Sequence, residues 1–596
     1  MGETPRRLWA IVVLGFRADP WRAAGTLALN GVGMGTAPLV ALWLKLLVNG
    51  VLAHDQSQVI AAAVLLGVNI GVGVLAGWAG LTLTIRLIER TSHHLDGRLI
   101  ELSAGVAGIE HHERPDYLDD MDVLRQQRGV LVGSFQAVSG SVAVALMIAS
   151  TAFLLGGISP LLLLLPLFGV ATVAAGARDQ QLTQAAMDVS AEDVRRAHHL
   201  FELATTPGPA KELRIFGLGR ELLRRHRQGW AGVDRVKDRA SLRGLAITAA
   251  GWLVFVTGYA LAIFFVVLRA VHGEASVGDV ILTVSLAGEV NLQVTQVVGT
   301  FAFMAQCLAV ARRYLWLVDY AAAARTPPAG GRAPVPARLA DGIDLVDVSF
   351  RYPHTDFDVL SHVDLHLPAG STVAVVGDNG AGKTTLVKLL CRFYEPTSGR
   401  ITVDGADLRS FDVAEWRACL SAGFQDVTRF ELLARQTVGV GRLPDIDDEP
   451  AVHAALDRAS AADVMVDLPD GLGSQLGRSF DGGVELSGGQ WQKLALGRAM
   501  MRPAPLLLVL DEPTASLDAQ TEHALFERYG DAAKSAAAES GAITVLVSHR
   551  FSTVRMADVI LVVDGGRVVE MGSHQDLVSA GGLYAELYEL QARAYR

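Results

Sequence analysis

Apolar and polar positions follow two different rules along this chain. Before about residue 310 the apolar residues gather into long runs, and six segments, roughly 23–49, 58–87, 130–155, 158–177, 243–270 and 279–306, stay apolar for a span's length. A helix needs about 20 mostly apolar residues to cross a bilayer, so each run predicts a membrane span. Runs three and four are parted only by Gly156, Gly157, Ile158 and Ser159, which predicts a tight hairpin. Runs two and three, and four and five, are joined by long polar stretches of helical pattern, which predicts helices continuing beyond the bilayer. After residue 341 the pattern becomes short apolar strands, glycine turns and amphipathic helices, the order of an α/β domain. Between the two, residues 321–340 (AAAARTPPAGGRAPVPARLA) show no apolar periodicity and cannot bury a core of their own. The expected organisation is therefore multidomain: an all-α six-helix membrane domain over 1–320, a linker over 321–340, and an α/β domain over 341–596.

Composition agrees with a chain that lives partly in lipid: 51% of its 596 residues are hydrophobic and 19% charged. A soluble protein with buried core helices is the alternative, and the charge distribution argues against it. The long connections carry Arg90, Arg98, Arg125, Arg128, Arg178, Arg195, Lys211, Arg214, Arg224 and Arg235, whereas the short ones, 50–57, 156–159 and 271–278, carry no Lys or Arg. Basic residues stay on the cytoplasmic side. Both termini, both long connections and the second half are expected in the cytoplasm, with the chain multi-pass in the cytoplasmic (inner) membrane. The apolar stretch Leu8–Phe16, flanked by Arg6, Arg7 and Arg17, lacks a small-residue cleavage site and reads as a retained lead-in helix.

Two places in the long connections are candidate contact points for a cytoplasmic partner: Glu110–Asp122, interrupted by Pro115, and Pro207–Leu218, interrupted by Pro207, Gly208 and Pro209. Plain solvated hairpins are the alternative. Within the runs, Lys45, Glu289, Asn291, Gln293 and Gln296 either line a polar route or bond helix to helix. A net charge of -10 excludes nucleic-acid binding as a main task, because phosphate neutralisation needs clustered Lys and Arg. Cys307, Cys391 and Cys419 form no CxxC pair and read as interior residues.

The chemistry sits in the second half. The strand-like run Thr372–Val376 leads into Gly377, Asp378, Asn379, Gly380, Ala381, Gly382, Lys383, Thr384 and Thr385. This is GxxxxGK[ST] between a strand and a helix: glycines let backbone N–H groups close around phosphates, Lys383 neutralises their oxygens, and Thr384 can ligate Mg²⁺. Downstream, the apolar run Leu506–Leu510 ends in Asp511 and Glu512. A buried parallel strand presents such carboxylates at its C-terminal edge, where Asp511 can hold a metal and Glu512 can polarise water as general base. Between them, Leu486, Ser487, Gly488, Gly489 and Gln490 open a helix, an arrangement that suits an anion or a plain N-cap.

In this order, the phosphate loop, LSGGQ and Asp511/Glu512 resemble the ATP-binding cassette (ABC) family, and the resemblance extends over the whole chain. It implies that LSGGQ completes the site of a second copy, with Ser487 and Gly489 touching the γ-phosphate held by the partner's phosphate loop. It implies adenine stacking on Tyr352, Mg²⁺ sensing by Gln425, a switch role for His549, and communication across the dimer by Ser516, Leu517 and Asp518. The alternative reading of Tyr352 is a core strand aromatic, and without the family a lone His549 after a strand reads more often as structural. One cassette behind six spans resembles an exporter half-transporter, which needs a second half, identical or different, and uses ATP and Mg²⁺. A finer resemblance, over Phe424–Thr437 and Phe480–Lys493, is to bacterial peptide (lanthipeptide-type) exporters, without the N-terminal cysteine-protease domain some of them carry. Drugs or lipids are the alternative cargo, and a membrane-anchored regulatory ATPase that moves nothing is the alternative function.

Overall fold

The computed structural model describes residues 3–324, 333–353, 355–512, 534–548 and 550–594. The chain divides into two compact units: Met1–Ser103 with Asp119–Ala321, and Ala104–Leu118 with Ala322–Arg596.

The first unit is helical. Among the described residues, six helices are long and apolar enough to cross a membrane: Pro20–Leu52, Gln56–Ala104, Ser134–Gly156, Pro160–Thr205, Gly219–Val271 and Val277–Ala324. Several far exceed a span. The 53 residues of Gly219–Val271 make about 80 Å of helix against a hydrocarbon core of about 30 Å. Apolarity alone could not place these ends, because helix continues through polar sequence where good helix formers follow. The last helix likewise runs to Ala324, past the expected linker start, since Ala321–Ala324 all favour helix.

The lead-in segment is a helix, Glu3–Ala18, whose Ile11 is buried against Ala137, Cys307 and Ala311. Asp19 then caps Pro20–Leu52 by accepting the Arg22 backbone N–H at 3.1 Å. The fourth and fifth long helices pack antiparallel through glycines seven residues apart. A Cβ on Gly251 would stand 2.8 Å from that of Ala175, one on Gly258 would be 2.3 Å from the Phe168 ring, and one on Gly244 would be closer still to the Asp179 carboxylate. Lipid tails offer no hydrophobic gain for helix association, so close backbone approach through small residues supplies the packing energy.

Two of the polar residues within the runs, Lys45 and Gln293, find specific partners. Lys45 makes an ion pair with Asp279 at 2.6 Å, and Gln293 donates to the Thr151 hydroxyl at 2.7 Å with both side chains buried. Lys45 thereby anchors the start of the last span, because Asp279 also accepts the Ser276 N–H at 2.8 Å. The Asn291 side chain lies outside the described ones. Lys45→Met leaves Asp279 as an unpaired carboxylate and is expected to destabilise the unit by about 3 kcal/mol. Lys45→Met/Asp279→Asn, which keeps an acceptor for Ser276, should recover most of this in thermal unfolding of the detergent-solubilised protein.

In the second unit, β1 (Gly342–Phe350), β2 (Leu360–Pro368), β3 (Thr372–Val376), β4 (Ser398–Val403), β5 (Ala406–Asp407), β6 (Leu420–Gly423), β7 (Leu507–Asp511), β8 (Ile543–Val547), β9 (Val559–Asp564) and β10 (Arg567–Gly572) form two sheets. The smaller is antiparallel in the order β2-β1-β4-β5, and the larger has the order β10-β9-β3-β8-β7-β6, parallel except at the β9/β10 edge. β7 and β8 are buried throughout, which is why they read as unbroken apolar runs. Residues 333–340 pack with this unit: Leu339 is buried in the sheet core, its N–H bonded to Ser540 O at 2.9 Å. Residues 104–118 join it too. Ile109 packs against the same core, and Arg417 donates to the Ala107 carbonyl at 2.5 Å.

Candidate nucleotide-binding and hydrolysis site

β3 ends at Val376, and the chain turns through the phosphate loop into the helix Lys383–Leu390. Gly377 and Gly382 have φ of 150° and 108°, and a Cβ would stand 2.1 Å from Val563 O at the first and 2.8 Å from Leu360 at the second. Only glycine allows this close turn. Lys383 is buried to 7% exposure and folds back over the loop, its Nζ donating to Gly377 O at 2.8 Å and Asp378 O at 2.9 Å.

The loop borders a cleft of about 780 Å³ whose lining includes Tyr352, Gly377, Asn379, Gly380, Gly382, Lys383, Thr384, Thr385, Gln425 and Glu512. Tyr352 is both an aromatic of the core and a wall of the cleft: it meets Phe350 edge-on at 4.9 Å, and its hydroxyl lies 3.1 Å from Thr385 Oγ1. On the opposite wall, Gln425 Nε2 donates to Glu512 Oε2 at 2.9 Å, joining residues 87 positions apart. Glu512 sits where β7 ends. Its φ of 46° is the left-handed region, and its N–H bonds to Val547 O at 2.9 Å, which fixes the side chain at the strand edge. Asp511, 2% exposed, lies just behind. Burial pushes its carboxyl up, the nearby Glu512 adds to this, and the Thr384 hydroxyl and the Lys383 charge pull the other way.

The four expected residues of the LSGGQ turn stand apart from this cleft. Ser487, Gly488, Gly489 and Gln490 are not among its described lining residues. Ser487 is exposed and caps its own helix: Ser487 Oγ accepts from the Gln490 N–H at 3.2 Å, and the Gln490 side chain accepts from the Ser487 N–H at 2.9 Å. The open backbone at Gly488, where a Cβ would meet nothing within 4 Å, leaves this helix N-terminus accessible. His549 and Ser516, Leu517 and Asp518 lie outside the described residues.

Sequence reasoning missed one wall. Leu587, Leu590 and Gln591 of the terminal helix Leu583–Ala594 line the cleft beside Ser548 and Phe551, and Phe551 packs edge-on against Tyr584 and Tyr588 at 5.3 and 5.5 Å. The i, i+4, i+7 spacing of Leu583, Leu587 and Leu590 was the available signal.

Comparison with known proteins agrees with this geometry. Residues 360–515 match the ABC transporter family model. The chain is 29% identical over 602 residues to the ATP-dependent lipid A-core flippase of Chromobacterium violaceum, covering 99% of both proteins. It is 33% identical over 379 residues to the flippase of the same name from Aromatoleum aromaticum, covering 64% of this chain and 60% of that one. Its fold is similar to that of a bacterial Atm1-family ABC exporter with ATP bound, with a TM-score of 0.72 over 96% of this chain and 99% of the other at 23% identity. The chain thus has the fold of an ABC exporter, a helical half with six candidate spans in front of one cassette that matches the ABC transporter family, and it is an ATPase of the kind that couples hydrolysis to movement across a membrane.

Proposed function

We propose that the protein moves an amphipathic lipid out of the cytoplasmic leaflet, with ATP hydrolysed at two composite sites between two cassettes. The end-to-end likeness to a lipid A-core flippase carries the cargo reading. The relatives found lend no support to peptide cargo. A small cavity in the first unit fits an acyl chain better than a peptide: its walls are apolar except around the Gln293–Thr151 pair.

In this reading Tyr352 stacks on adenine, the phosphate loop holds the phosphates, and Glu512 takes the proton from the attacking water while Gln425 orients it. His549 contacts the γ-phosphate. Thr384, Gln425 and Asp511 offer the oxygen donors that a hard cation prefers, so Mg²⁺ fits there and would supply charge neutralisation on the phosphates. Ser487, Gly488, Gly489 and Gln490 close the partner's site, which agrees with their exposed helix start standing away from their own cleft. The second connection ends in an exposed apolar pair, Ile215 at 80% and Phe216 at 67%, which a second half-transporter, identical or related, would cover. Cassette and termini face the cytoplasm.

The test is ATP-dependent loss of a quenchable fluorescent lipid from one leaflet of proteoliposomes. Lipid movement that requires ATP and ceases in Glu512→Gln supports the proposal. Lipid-stimulated hydrolysis with no movement of any cargo would instead mark a regulatory ATPase.

A further inference from the structure

The aromatic wall of the cleft is held by a residue from far earlier in the chain. Glu113 closes the helical turn Glu110–Glu113, inside the 104–118 segment that packs with the second unit. Its Oε1 accepts from Lys388 Nζ at 2.7 Å, and its Oε2 accepts from the Tyr394 hydroxyl. Lys388 projects from the phosphate-loop helix, and its ammonium lies over two rings, 5.2 Å from the centroid of Tyr352 and 5.7 Å from that of Tyr394. The two rings meet edge-on at 5.3 Å. Tyr352 is therefore held by a cation and by a ring edge, and one carboxylate fixes both.

Electrostatics agree with that geometry. Burial pushes the Glu113 carboxyl up, but hydrogen bonds from Lys388 and Tyr394 outweigh it and hold the group below the usual carboxylate range. Burial lowers Lys388, and Glu113 with Tyr352 more than restores it. Both groups are charged at neutral pH, so the contact is a true ion pair. Docking of the segment is already served by Ile109 and by the Arg417 bond to Ala107. Glu113 adds a link to Tyr352, a cleft residue, through a single intervening side chain.

We infer that Glu113 is a positioning residue for the nucleotide base: by fixing Lys388 and Tyr394 it sets the ring of Tyr352, and so ties ATP affinity to the placement of the first long connection. This rests on the reading of Tyr352 as the stacking residue. Coupling is reciprocal, so ATP binding would in turn hold the connection in place.

The experiment measures steady-state hydrolysis by the full chain in nanodiscs with ATP and with UTP. Glu113→Gln should raise KM for ATP roughly 3- to 10-fold, the size of one cation–π or ion-pair contribution, while kcat at saturating ATP is retained. The preference for ATP over UTP should narrow, since a pyrimidine stacks less. Lys388→Gln should do the same, and Glu113→Gln/Lys388→Gln should be no worse than either alone, because both act through one contact. Glu113→Asp, which keeps the charge with a shorter reach, should fall between and guards against a folding defect. Tyr352→Ala separates the two claims. If it raises KM and Glu113→Gln does not, the positioning role is overturned and stacking stands; if it leaves KM unchanged, the stacking reading itself falls. A lower kcat with unchanged KM in Glu113→Gln would mean that the residue only docks the segment.

Discussion

Glu512→Gln is expected to bind ATP as the native protein does and to hydrolyse it about 10²- to 10⁴-fold more slowly, the usual contribution of a positioned general base. The geometry makes this substitution unusually clean. Gln425 donates to Glu512 Oε2, and a glutamine at 512 still offers a carbonyl oxygen to that donor. The left-handed backbone at 512 is equally tolerable for either side chain, and the Glu512 N–H keeps its bond to Val547 O. What disappears is the carboxylate charge, which also acts on Asp511, and with it the proposed proton acceptor. Nucleotide should therefore remain trapped between paired cassettes, seen as co-purifying ATP and as a lasting crosslink between phosphate loop and LSGGQ helix. Native turnover in this variant would remove Glu512 from its assigned role.

Lys383→Ala should fail one step earlier. The ammonium is nearly buried and bonded to two carbonyls of its own loop, so alanine removes both the charge proposed to meet phosphate and the donor that shapes the loop. A charge-assisted contact of this kind corresponds to roughly 10- to 100-fold in equilibrium constant. Equilibrium ATP binding to the detergent-solubilised protein is expected to weaken by that amount, in contrast with Glu512→Gln, where binding holds. Unchanged affinity would show that the loop backbone carries the phosphates unaided. Arginine should not rescue, since a planar guanidinium does not reproduce the compact point charge that Lys383 places at the loop.

The parts of the site that were legible beforehand are those fixed by local sequence. The phosphate loop was readable because a strand, three glycines and a lysine must follow one another at set spacing to make one turn, and the spans because lipid demands unbroken apolarity. Other features arise only when distant segments meet. Gln425 could be matched to a family pattern, but its bond to Glu512 depends on β6 and β7 lying side by side. Leu587 and Leu590 looked like any amphipathic helix until folding laid them against the cleft. Lys45 read as a polar residue in a span, and its partner Asp279 was invisible at that distance along the chain. Helix ends were hidden for another reason: apolarity marks where lipid stops, whereas helical hydrogen bonding continues beyond it.

Because residues 104–118 pack with a unit whose remaining residues begin at 322, that unit is assembled from two stretches of sequence with four of the described spans between them. During synthesis the early stretch emerges long before the surface it will cover, so Ile109 and Glu113 must wait for the ribosome to finish the rest. A gene fragment started at the obvious boundary near residue 340 would omit them, together with Leu339. Such a fragment would present bare core and an unpaired Lys388 where the intact protein has a cover, and thermal or kinetic values taken from it would describe an incomplete fold.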